Sequence, residues 1–279
     1  MHIRCWGSRG QIPVSGAEYN KYGGDTTCIE IRSNSGDIIV IDAGSGIRHL
    51  GARLLEEKCR KISIVFTHLH LDHILGLPFF APVYHKNVSI SIYGCPFNIS
   101  SFHEALHGMM QAPYFPVDLN NLPCKIKYND ILAQSFRIGS VTIKPIMLNH
   151  PNGGLGFRFE ERDSAFVFLT DNELGYDLPG AQPFEAYREF AKDADLLIHD
   201  AEFDIDEYAR YKAWGHSRYT DAVELALKAG VARLGLFHIN NKRVDRQVDA
   251  MVRESKKLIA ARGASIECCA VGHRYEINL

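Results

Sequence analysis

The sequence predicts an α+β fold in which two β-sheets pack face to face beneath a cover of helices. Three observations carry this. Strand-like segments dominate the first half, while helices are interspersed and return late in the chain, an order that favours a sheet-on-sheet core. The 279 residues are 46% hydrophobic, ample material for such a core, and no repeat or Pro/Gly/Ser linker divides them, so one domain over residues 1–279 is expected. Five of the strand-like segments also end in a residue able to bind metal or move a proton: His68, His150, Asp171, His199 with Asp200, and His238.

Each element has its own signal. Thr26–Ser33 alternates apolar and polar residues, Asp37–Gly44 is an apolar run ending in Asp-Ala-Gly, and the turn Asn34–Asp37 lies between them. Ile47–Arg60 has helical spacing and leads into the strand Lys61–Phe66. From Pro78 to Asp130 the pattern is irregular; a strand over Val88–Gly94, a helix over 99–110 and a loop over Ala112–Pro123 are predicted there. Strands follow at Val141–His150, Gly154–Glu161 and Ser164–Asp171, then at Asp195–Phe203 after a short helix. The remainder alternates helix Arg218–Gly230, strand Arg233–Asn240 and helix Arg246–Gly263.

Composition narrows the class. Lys and Arg total 31 against 33 Asp and Glu, a formal net charge of −2, which argues against a basic sheath for nucleic acid. No apolar run approaches the roughly 20 residues that span a bilayer, and the polar start MHIRCWGSRG is unlike a secretory signal. The seven cysteines lack CxxC spacing, and Cys268 and Cys269 are adjacent, poor geometry for pairing with each other. Reduced thiols and a cytoplasmic location are expected, with no thiol nucleophile, because no base stands near any cysteine.

The densest chemistry lies in FTHLHLDHILG, Phe66 to Gly76. His68 and His70 are two apart and share a face in an extended segment, whereas Asp72 and His73 follow where the chain turns into a helix and can address a second position. Imidazole and carboxylate without thiolate suit Zn, Mn or Fe and leave room for water, unlike closed structural zinc sites. Isolated histidines such as His2, His49, His85, His103, His107 and His273 read as ordinary core or loop residues.

THLHLDH resembles the HxHxDH signature of the metallo-β-lactamase superfamily, and further segments follow in the family's order: DIIVIDAGSGI, LNH, LTD and LFH. The resemblance spans essentially the whole chain. It implies a four-layer αββα sandwich holding two divalent metal ions. His68, His70 and His150 would bind the first, and Asp72, His73 and His238 the second. Asp171 would bridge them together with a water or hydroxide, and Asp42 would orient a ligand imidazole unless it only caps its turn. The oxygen-binding di-iron members carry Glu at the second position; His70 stands there, which favours hydrolysis.

The fold does not choose the reaction. LIHDAEF and WGHSRYTDAVELA resemble two segments of the phosphodiesterase branch best known from ribonuclease Z, and this implies catalytic roles for Asp200 and His216 alongside Asp72. Asp200 replaces that branch's Glu with a shorter carboxylate. Such a pair suits an alkoxide leaving group, which benefits from a proton near neutral pH. The N-terminal WGSRGQIPV and YGGDTTC resemble proteins described as cyclic-nucleotide phosphodiesterase-like, with Gln11 and Asp25 as departures.

The expected function is therefore hydrolysis of a small, cyclic-nucleotide type of phosphodiester. Thioester or lactone hydrolysis on the same metals is the alternative, with a non-hydrolytic nucleotide-binding role as a third. No long Gly/Pro-bearing arm of the kind that clamps tRNA is visible, so a small-molecule substrate is expected and tRNA is not. Tyr114 and Phe115 are candidates to stack on a base or to form a homodimer contact.

Overall fold

The computed structural model describes residues 1–97, 101–131, 134–175 and 180–279. The first sheet is built largely from the N-terminal half. β1 (His2–Gly7), β2 (Cys28–Arg32) and β3 (Ile38–Ile41) form an antiparallel meander. Helix α1 (Ile47–Glu56) then crosses over to β4 (Lys61–Val65), which lies parallel to β3. The single-turn helix α2 (Leu71–Ile74) follows, then β5 (Ser89–Gly94), α3 (Phe102–Met109) and β6 (Lys125–Asp130), and both strands continue the parallel pairing. Residues 99 and 100 of the predicted helix over 99–110 lie outside the described residues.

The second sheet begins with β7 (Phe136–Ile138), β8 (Val141–Met147), β9 (Leu155–Glu161) and β10 (Ser164–Leu169), which pair antiparallel with one another in that order. After α4 (Phe184–Ala191), β11 (Leu196–Asp200) pairs parallel with β10. Helices α5 (Ile205–Tyr211) and α6 (Tyr219–Ala229) lead to β12 (Arg233–Phe237), and α7 (Asp245–Ala261) leads to β13 (Glu267–Ala270), again in parallel. Finally β14 (Glu276–Asn278) returns to the edge of the first sheet beside β1. The strand orders are β14-β1-β2-β3-β4-β5-β6 and β13-β12-β11-β10-β9-β8-β7.

Alternation along the strands produces the layers. In β3, Ile39 and Ile41 face the other sheet with Phe157, Phe159, Phe166 and Phe168, whereas Ile38 and Val40 pack beneath α1 with Leu50 and Leu54. The outer face of the second sheet is covered by α4, α6 and α7 through Tyr187, Leu225, Val248 and Ile259. Strands buried on both faces read as continuous apolar runs, as in IIVI of β3. The result is the four-layer αββα sandwich. All seven cysteines are unpaired. No helix among the described residues is long and apolar enough to cross a membrane.

Several strands escape sequence reading for a physical reason. β7, β13 and β14 are three or four residues long, too short to display a period, and β6 is a largely exposed edge strand. Parallel pairing matters most for chemistry. It sends the ends of β3 and β4 in one direction in the first sheet, and the ends of β10, β11 and β12 in one direction in the second.

Candidate metal centre

The loops after those strand ends meet between the sheets. His68 Nε2 and His150 Nε2 lie 3.6 and 3.7 Å from Asp171 Oδ2, and His150 Nε2 is 3.0 Å from His70 Nδ1. On the other side, His238 Nε2 is 3.2 Å from Asp72 Oδ2 and 3.3 Å from Asp171 Oδ2. His73 Nε2 is 3.3 Å from Asp171 Oδ1. Asp171 thus touches both groups. His68, Asp72, His73, Asp171 and His238 are buried, whereas His70 and His150 are half-buried, the His150 side chain itself being only 2% exposed.

Four of the five imidazoles, all but His70, are held from behind. His73 Nδ1 donates to Asp42 Oδ2 at 2.8 Å, His150 Nδ1 to the Gly215 carbonyl at 3.0 Å and His238 Nδ1 to Glu202 Oε2 at 2.8 Å; His68 Nδ1 contacts Thr67 Oγ1 at 3.0 Å. Fixing Nδ1 leaves Nε2 free for a ligand role. Asp42 does more than hold a ring: it also accepts from the Thr67 amide and hydroxyl, so it ties the end of β3 to the end of β4. Asp42, Asp171 and His238 all adopt left-handed backbone conformations, with φ of 60, 50 and 53°.

The residues present fit divalent metal. The ligand atoms of His68, His70, His150 and Asp171 lie within 4.8 Å of one another, as do those of Asp72, His73 and His238. His68 Nε2 and His73 Nε2 are buried without a hydrogen-bond partner, a costly arrangement for imidazole unless a cation takes the lone pair. Charge points the same way. Burial disfavours a charged His73, but Asp171, Asp72 and Asp42 more than reverse this and hold its pKa well above the ordinary value. His238 behaves likewise beside Asp171, Asp72 and Glu202. Protons there balance carboxylates that a metal would otherwise balance. Burial and neighbouring histidines push His68 well down and His150 to about 4, despite Asp171, leaving neutral rings suited to ligation.

A second constellation abuts this one. His216 Nδ1 lies 2.7 Å from Asp200 Oδ2, and the His216 ring stacks on His238 at 4.8 Å between centroids. Asp200 also accepts from the amides of Glu202 and Ser217, which fixes the loop that carries His216. His216 falls within 4.8 Å of ligand atoms on Asp171 and His238 as well, so it borders the cluster directly. His199 stays apart: its ring bonds to the Asp200 carbonyl and to Asn172 within the core.

Sequence reading passed over three residues here. Glu202 is fully buried and gathers His238 Nδ1, Asn240 Nδ2 and Gln11 Nε2. Gln11, weighed only as a departure from a pattern, donates its backbone amide to Asp72 Oδ2 at 2.7 Å. Glu173, also buried, accepts from Tyr208 Oη and from the amides of Ala213 and Gly215, anchoring the segment before His216. Asp25 turns away from the cluster to Ser45 Oγ and His49. Tyr114 is 80% exposed and Phe115 packs edge-on against Phe79. Neither lines the cavity beside His68 and His70, which instead holds Phe97 and Asn152. A larger cavity of about 600 Å3, between Arg4, Tyr19 and Arg274, contains none of the clustered residues.

Gly10 carries a testable consequence. A Cβ there would sit 2.3 Å from His238 Cε1, so only glycine lets this turn approach the ring. Gly10→Ala is expected to displace His238 and to cut metal retention after dialysis against chelator by about tenfold or more. Wild-type retention in a folded variant would show that the ring has room to move.

Comparison with known proteins places this geometry. A ribonuclease Z of Exiguobacterium sibiricum is 29% identical over 257 residues, covering 77% of this chain and 84% of that protein. Among solved structures, the metallo-β-lactamase fold protein YhfI from Bacillus subtilis superposes with a TM-score of 0.72 at 20% identity, covering 99% of this chain and 98% of that one. A diphosphatase from the PhnP family gives a TM-score of 0.70 at 17% identity, with 100% and 97% coverage. The family model described as "Beta-lactamase superfamily domain" matches residues 38–239, from β3 to just past His238, and the chain belongs to that family.

Proposed function

We propose that this protein is a metal-dependent hydrolase that cleaves phosphodiesters, with small nucleotides, cyclic ones included, as its substrates. The observation that carries the reading is the His216–Asp200 pair set directly against the clustered ligand atoms. A departing alkoxide needs a proton, whereas a thiolate leaves without one, so a built-in acid favours ester oxygen over thioester. Further support comes from the relatives, whose names denote cleavage at phosphorus. Those same names include ribonucleases, so they lend nothing to the expectation that tRNA is not a substrate.

In this reading His68, His70 and His150 would hold one divalent ion, Asp72, His73 and His238 would hold a second, and Asp171 would serve both. Zn, Mn and Fe all suit such a set. Divalent ions held there would supply Lewis acidity, making water more acidic and offsetting charge on phosphoryl oxygens. The chain's own residues do the rest. Asp200 fixes His216 Nδ1, which leaves Nε2 as the atom that passes a proton to the leaving oxygen. Glu202 keeps His238 in one tautomer, and the Gln11 amide steadies Asp72. Burial of the cluster keeps its electrostatic interactions strong.

The test is hydrolysis of bis(p-nitrophenyl) phosphate by purified protein, stripped of metal and then reconstituted separately with Zn and Mn. Nitrophenolate release that depends on added metal is expected. A fully loaded protein that releases none, yet cleaves an acyl thioester or lactone, would replace the phosphodiesterase reading with the acyl one.

A further inference from the structure

A cavity of about 340 Å3 opens beside His68 and His70 and is walled by Leu69, Pro96, Phe97 and Gly153, with Asn152 at its rim. We infer that this cavity is a nucleobase subsite, in which the base stacks on Phe97 and its polar edge meets the Asn152 amide. The inference rests on the phosphodiesterase reading, which puts the phosphate at the clustered ligand atoms.

The walls select the ligand. Apart from the two histidines, no ionisable side chain among the described residues lines the cavity, so a second phosphate or a carboxylate finds no counter-charge there. A flat ring with an apolar face and a hydrogen-bonding edge matches what is offered. Phe97 is half-buried, packed partly against the core between the sheets, and so presents a fixed ring. Asn152 Nδ2 lies 3.4 Å from His70 Nε2, which places an amide beside the cluster on the wall of the same cavity.

The turn after β8 is shaped for this. Asn152 and Gly153 both have left-handed backbones, with φ of 66 and 88°, and the Gly153 amide closes the turn onto the His150 carbonyl. A Cβ on Gly153 would come within 2.6 Å of the Phe97 ring. Glycine therefore lets the turn that carries His150 lie directly against Phe97, coupling the aromatic platform to the metal-type residues. A neighbouring phosphate held at the cluster brings an attached nucleoside over that platform.

The experiment compares AMP with ribose 5-phosphate, which keeps the phosphate and sugar but lacks the base. Both are titrated calorimetrically into the metal-loaded protein and into the variants Phe97→Leu and Phe97→Tyr. The wild type is expected to bind AMP at least about tenfold more tightly than ribose 5-phosphate, the scale of one base–aromatic stack. Phe97→Leu, which keeps apolar bulk in the core, should reduce that ratio to about threefold or less, and Phe97→Tyr should restore it. Equal wild-type affinities, or a ratio that survives Phe97→Leu, would overturn the subsite. Turnover of bis(p-nitrophenyl) phosphate by the same preparation reports separately on the phosphodiesterase reading, so the failure of one is distinguishable from the failure of the other.

Discussion

Replacing His216 with alanine is expected to slow cleavage of an alkoxide-releasing nucleotide about 10²- to 10⁴-fold, the usual contribution of a positioned general acid. Metal content should stay at the wild-type level. His216 is buried, which works against positive charge, but Glu202 and Asp200 more than compensate and raise its pKa to about 9. The ring is thus a cation at neutral pH with a proton to give. The comparison that isolates the role is the leaving group. p-Nitrophenolate departs without help, so His216→Ala should cost far less on bis(p-nitrophenyl) phosphate than on a nucleotide. Equal losses on both substrates, or metal lost with the side chain, would make His216 part of the metal-binding scaffold, a role its proximity to Asp171 and His238 also permits.

Asp42→Ala is expected to have the largest effect on stability. The Asp42 carboxylate is fully buried and accepts from the Thr67 amide at 2.7 Å, Thr67 Oγ1 at 2.8 Å and His73 Nδ1 at 2.8 Å. Its removal strands three donors in the interior, and breaking a buried pair of this kind costs about 3–5 kcal/mol. Metal affinity should fall about 10- to 100-fold as well, because His73 loses the group that orients it. Urea denaturation gives the first quantity and metal retention the second. Asp42→Asn keeps the shape and a side chain tolerant of the left-handed backbone, so it should fall between the wild type and Asp42→Ala. A stability loss below about 1 kcal/mol in Asp42→Ala would mean that the β3–β4 junction is held by other contacts.

The metal-type residues were legible because local spacing concentrates them. Residues 68–73 put four donor side chains into six positions, and His150, Asp171 and His238 each follow an apolar strand whose end the sequence marks clearly. Glu202 was not legible. It bonds to His238, 36 positions away, because β11 and β12 run parallel in a register that sets Asp200 opposite Phe237. One acidic residue past a strand end gives no hint of its partner until the register is known. The placement of the aromatic residues was hidden for a related reason. Composition marks Tyr114, Phe115 and Phe97 equally as large rings, and only the path of the chain decides which one lies beside His70. Sheet edges were lost to brevity, since a strand such as Glu276–Asn278 is recruited by β1 rather than by any periodicity of its own.

The left-handed backbones at Asp42, Asp171 and His238 set two demands on the same three positions. Such conformations cost non-glycine residues on the order of 1–3 kcal/mol each, and glycine would adopt them freely. Glycine, however, brings no carboxylate and no imidazole. At Asp171 and His238, selection for thermostability alone would drift toward glycine and relieve the strain, whereas at Asp42 the three donors its carboxylate satisfies outweigh it. The strain at these positions is therefore a record of their side chains, concentrated where strand ends must bend sharply to deliver a carboxylate or an imidazole to the centre.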